Sequence, residues 1–261
     1  MFKLFTTLAC LSTLLFSSQW ETSNVENKYF KKIDIPIKNN IEQNIHFGFL
    51  YTTGNTQSLN LNGEYDIAML QEGYKGKDLR YIFSSSVYLS EIDKTKSNEE
   101  YQASMGIEQS LANDWSAYVS ADWYRNPEFR NLDNKASFNI GVGNDVFKNE
   151  TQNIKIKLGL AYNIEDYTNT QKIKQFRSIN EYIEYTNTIN NHSRFVMKLG
   201  SLQNVLHFSS DYEILGVVSL EVKITKSLHI KLSEELMFDS LPSVGLERTD
   251  SKTLISIGYN F

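Results

Sequence analysis

From Asn44 to Phe261 apolar and polar side chains alternate with a period of two, the signature of strands with one apolar and one polar face. It is clearest at 153–165, where Ile154, Ile156, Leu158, Leu160, Tyr162 and Ile164 take one face. Lys155, Lys157, Gly159, Ala161, Asn163 and Glu165 take the other. Segments 59–69, 212–224 and 249–261 repeat the pattern. No window of comparable length carries an apolar stripe at helical spacing, so the chain is all-β. Twelve strands are expected, at 44–53, 56–70, 79–92, 98–111, 116–125, 132–147, 153–165, 177–190, 194–204, 212–224, 228–239 and 249–261. Turn residues separate them, and Pro127 and Pro242 fall in the connections, as full pairing of the strands requires. The strands are long for a soluble sandwich, whose strands average ~5–6 residues. They suit tilted strands of ~9–11 membrane-crossing residues.

A soluble barrel and a membrane barrel share this alternation and differ in which face is buried. A mean hydropathy of −0.39 suggests water, yet 15 Tyr and 15 Phe are many for so polar a chain. Averaging over two faces resolves the conflict: an apolar wall meets lipid while a charged face lines the lumen. Tyr51, Tyr65, Tyr81, Trp123, Tyr162, Tyr212, Phe238 and Tyr259 sit near the ends of apolar faces, in the manner of interfacial girdles. The last strand ends in Tyr259 and Phe261, the form of the signal read by bacterial barrel-assembly machinery. The reading is a single transmembrane antiparallel up-and-down β-barrel of about 12 strands in the bacterial outer membrane, in contact with lipid and lipopolysaccharide. An even strand number places both termini in the periplasm, with 166–176 and 240–248 as the longest extracellular connections.

Residues 1–18 carry Lys3, an apolar run from Leu4 to Phe16, and Ser17-Ser18, which reads as a cleaved secretory signal peptide. Cys10 lies in that run and is the only cysteine. Acylation of Cys10 is the alternative, although Thr7 stands where a lipobox carries Leu. Residues 19–43 read as a polar periplasmic extension and 44–261 as the barrel. The balance of 31 Asp plus Glu against 26 Lys plus Arg excludes nucleic acid as a main partner, since phosphate binding needs a basic face.

Several motifs coincide with a known family. They are Thr53-Gly54-Asn55-Thr56 near the start, Thr225–Leu228, Lys231–Ser233, Asp239–Gly245 and Thr249-Asp250 near the end, and the terminal Tyr259–Phe261. Through them the chain resembles the salt-induced outer-membrane protein family (YdiY-like, domain of unknown function 481). The resemblance implies an outer-membrane barrel and no established activity. Glu234 departs from it, standing where family members tend to carry an aromatic residue.

The expected lumen face carries Glu64, Asp66, Arg80, Glu108, Asp122, Lys155, Lys157, Glu165, Lys198, Glu213, Glu221, Lys223, Lys231, Glu235 and Lys252. Acids and bases nearly cancel, so strong ion selectivity is not expected. Two readings stay open: a hydrated path for small solutes or ions, and a plug of salt bridges. Glu234 falls on the apolar face between Leu232 and Leu236. A bulge that turns it inward is the first explanation; a subunit contact or a protonated carboxyl is the second. His46, His192, His207 and His229 have no catalytic partner at suggestive spacing, and no His or carboxylate pair has metal-ligand spacing. The chain reads as non-enzymatic, without cofactor or metal. It is a narrow passive channel or envelope-stress barrel, or else a structural or adhesive barrel acting through its loops.

Overall fold

In the computed structural model, twelve antiparallel strands close into one barrel, each pairing with its sequence neighbours and β1 with β12. The structure describes residues 41–52, 58–92, 95–127, 131–168, 173–242 and 247–260. The expected signal peptide and most of the expected extension lie outside them. The strands are β1 (Ile41–Thr52), β2 (Ser58–Glu72), β3 (Asp78–Ile92), β4 (Thr95–Ser110), β5 (Trp115–Asn126) and β6 (Leu132–Lys148). They continue as β7 (Gln152–Tyr167), β8 (Lys174–Asn190), β9 (Ser193–Asn204), β10 (Tyr212–Lys223), β11 (Leu228–Asp239) and β12 (Thr249–Asn260). β1 begins three residues before the alternation does, taking Ile41–Gln43 from the expected extension.

Both chain ends of the barrel lie at one rim, here the terminal rim; the opposite one is the loop rim. Turns at the terminal rim are closed by local side chains. At Asn113 and Asp114 both φ angles are positive, 56° and 60°, a conformation that type I′ hairpins require and Asn and Asp tolerate. Asn149 Oδ1 accepts from the amides of Thr151 and Gln152, and Thr225 Oγ1 from those of Ser227 and Leu228. At the loop rim the connection 205–211 runs longer than 168–173, contrary to the expected ranking. It is a compact turn held by Asn204 Nδ2 donating to Asp211 Oδ2 at 2.7 Å.

The outer wall is apolar. Phe47, Phe49, Ile140, Leu160, Leu199 and Ile257 each expose half or more of their surface. Water would not tolerate so continuous an apolar surface, whereas lipid requires it. Aromatic pairs mark both rims: Tyr212 against Phe238 at 5.7 Å, and Tyr185 against Phe195 at 6.3 Å. Register shifts occur near strand ends, at Ser90/Glu91, Tyr124/Asn126, Leu132/Asn134, Asp145/Phe147 and Thr188/Asn190. β11 pairs without a shift on either side, so no bulge turns Glu234 inward. It stays on the outer wall and accepts a hydrogen bond from Thr253 Oγ1 on β12.

Candidate functional site

A twelve-stranded barrel lies between eight-stranded barrels, which side chains fill, and porins of 16–18 strands, which hold an aqueous channel. The lumen of this one is crossed by ion pairs between strands that are not neighbours. On the loop side, Lys135 of β6 places Nζ 2.8 Å from Glu165 of β7 and 2.9 Å from Glu213 of β10, four strands away. Lys135 is 1% exposed. Tyr167 donates to Glu165, and Lys174 reaches both Glu165 and Asp211. On the terminal side, Glu108 of β4 takes Lys155 and Lys157 of β7, each at 2.6 Å. A third span joins Lys231 of β11 to Glu64 of β2 at 3.6 Å.

Between the two triads a chain of amides and hydroxyls runs along the wall of β5–β8. Ser137 donates to Asn163, Asn163 to Ser178, Ser178 to Asn180, Asn180 to Asn139, and Asn139 to Asp122, at 2.7–2.9 Å. Tyr118 fills the adjacent space by lying over two glycines. A Cβ would come within 2.6 Å of its hydroxyl at Gly141 and within 2.4 Å at Gly159. Its ring also receives the Lys157 ammonium at 4.9 Å. A void of ≈ 20 Å³ lies among Glu184, Arg194, Lys198, Glu221 and Lys231, room for about one water.

Among the residues singled out from the sequence, Asp66, Glu108, Asp122, Lys157, Glu165, Glu213 and Glu235 are buried inside the barrel. Glu64, Arg80, Lys155, Lys198, Glu221 and Lys231 are half-buried. Arg80 stands opposite Glu108 in the β3–β4 register, and Glu235 opposite Lys252 across β11–β12. Arg194 bonds Glu221 at 2.8 Å. Lys223 is exposed at the terminal rim. Tyr259 is exposed on the outer wall. Phe261 and the side chain of Lys252 fall outside what the structure describes.

Sequence reasoning missed Lys135, Glu184 and Arg194, and it missed an apolar interior patch. Phe176, Leu202, Leu215, Val217 and Met237 of β8–β11 cluster inside the barrel, so the inward face is not polar throughout. Alternation read back from Gly143 through Gly141, Asn139 and Ser137 does reach Lys135. The patch had no such signal, because the run Ile214–Val218 is apolar on both faces apart from Gly216.

A family model described as "Protein of unknown function, DUF481" matches residues 45–261. No curated protein matches the chain. Among solved structures, the chain is similar to the COG4313 outer membrane channel from Pseudomonas putida F1. The TM-score is 0.52 at 10% identity, over 88% of this chain and 99% of that one. The NanC porin gives a TM-score of 0.48 at 8% identity, over 83% and 98% of the two chains. The translocator domain of autotransporter NalP from Neisseria meningitidis gives 0.45 at 8%, over 85% and 87%. At such identities the likeness to the Pseudomonas putida channel speaks for the fold, that of outer-membrane β-barrels.

Proposed function

Because the chain belongs to the DUF481 family, whose function is unknown, we propose that it is a bacterial outer-membrane barrel with a narrow, mixed-charge lumen held shut by ion pairs between its walls. Small ions or solutes pass only when those pairs part. The observation that carries this reading is Lys135, joined to Glu165 beside it and to Glu213 four strands away. The terminal rim faces the periplasm, lipid and lipopolysaccharide surround the wall, and barrel-assembly machinery engages the C-terminal strand at Tyr259 and Phe261. The role is non-enzymatic. His46 and His229 are enclosed, and His192 and His207 stand exposed at opposite rims, none of them on the outer wall.

Planar-bilayer recording tests it. Wild-type protein should be silent or show brief, small openings. Replacing the whole loop-side triad (Lys135→Ser, Glu165→Ser and Glu213→Ser together) leaves no bare charge and should raise mean conductance several-fold. A steady porin-sized conductance in the wild type overturns the reading, as does a triple variant no more conductive than wild type.

A second reading, an adhesive barrel, is favoured by one observation. Leu206 is 83% exposed at the loop rim, beside exposed Phe208 in the 205–211 turn. Replacing both with Ser should leave conductance alone and, under this reading, abolish binding to a partner surface.

A further inference from the structure

Spacing along the chain announces no set of metal ligands; the pairing of β1 with β2 assembles one, and closure through β12 brings His229 beside it. His46 of β1 stands directly opposite Glu64 of β2, and Asp66 follows two positions along the same inward face. One ligand atom from each of the three lies within 4.8 Å of the others. His46 and Asp66 are buried, and Glu64 is half-buried. β11 adds His229, also buried, with its ring 4.8 Å from that of His46 at an interplanar angle of 75°.

The two imidazoles can approach because β12 carries Gly258 between them, in register with both. A Cβ at that position would lie 2.2 Å from His229 Nε2 and 2.7 Å from His46 Nδ1. The rings pack over the bare Gly258 backbone, and any side chain at that position would collide with both of them.

We infer that His46, Glu64 and Asp66 form a lumen site for a divalent transition-metal ion of the zinc type, with His229, packed against His46, turning in as the fourth donor. Two imidazoles and two carboxylates supply four donors, the number and kind that zinc takes in tetrahedral sites. Calcium and magnesium prefer all-oxygen sets and suit the histidines poorly. The carboxylates balance the charge of the ion, and Lys231 holds Glu64 from β11. A bound ion ties β1, β2 and β11 across the seam where β12 closes on β1. It binds the closed barrel and not the unfolded chain, so it raises stability. The inference does not depend on conduction.

The test uses full-length folded protein in detergent, stripped with chelator and titrated with zinc chloride by calorimetry, with thermal unfolding in parallel. One zinc per chain should bind and Tm should rise, while magnesium at the same concentration leaves Tm unchanged. His46→Gln and His229→Gln should each weaken binding roughly tenfold or more. Cobalt(II) in the wild type should give the visible absorption of a tetrahedral site, which decides the matter even where a variant fails to fold. Equal effects of zinc and magnesium, zinc affinity unchanged in both histidine variants, or only the weak, pink absorption of octahedral cobalt would each overturn the inference.

Discussion

The two buried triads are mirror images in charge. On the loop side one cation sits between two carboxylates, Lys135 between Glu165 and Glu213; on the terminal side one carboxylate sits between two cations, Glu108 between Lys155 and Lys157. Each leaves one net charge, of opposite sign. They also differ in enclosure. Lys135 is sealed, whereas the Lys155 side chain keeps some contact with water and Lys157 has the Tyr118 ring as a second neighbour. A charge stranded in a low-dielectric interior costs more than one that water can still reach, so the two triads should respond unequally to loss of the central group.

The largest effect is expected at Lys135. Lys135→Met keeps the stem but leaves Glu165 and Glu213 facing one another without the shared ammonium. Breaking a buried pair in this way costs about 3–5 kcal/mol. Urea unfolding in detergent, followed by electrophoretic mobility, should show the midpoint fall by that equivalent. Adding Glu213→Gln to Lys135→Met should recover part of the loss, because the double variant strands fewer charges. A double variant less stable than Lys135→Met would show that Glu213 is held by something other than this cation.

Glu108→Gln comes next. It preserves shape and removes the anion between two lysines, at about 2–3 kcal/mol, the lower part of the range for truncating one partner of a buried charge pair. Partial hydration of Lys155 and the ring beneath Lys157 account for the smaller figure. If this variant lost more stability than Lys135→Met under the same conditions, the ordering by enclosure would be wrong.

How much of this was legible in the chain depends on whether a strand's two faces differ. β7 alternates without a break, so its span and the inward side of Lys155, Lys157 and Glu165 follow from spacing alone. β11 was placed at 228–239, where the structure has it. Around Ile214–Val218 both faces are apolar, and nothing in the spacing announces that Leu215 and Val217 fill the barrel. The register shift between Leu132 and Asn134 lets Leu132 and Lys135 both point inward despite their odd separation. Which charges meet across the lumen is a property of closure: Lys135 finds Glu213, and His46 finds His229, only once β12 pairs with β1.

Glu234 provides the smallest effect and the sharpest contrast with the triads. It is a carboxylate on the outer wall, between Leu232 and Leu236, and it takes a hydroxyl from Thr253 where the triad carboxylates take ammonium groups. Val218 and Thr253 flank it in register, so the strand holds it outward whatever its charge. An acid on the lipid face costs less than a base at the same depth, and the cost falls toward the interfaces. Glu234→Leu should therefore stabilise the barrel by about 1 kcal/mol in lipid vesicles, and by less in detergent micelles, where water reaches the wall more easily. Unfolding titrations in both media measure the difference. A loss of stability in vesicles would mean that the bond to Thr253 outweighs the exposure to lipid, and that even on the outer wall a carboxylate with one good donor contributes to holding β11 against β12.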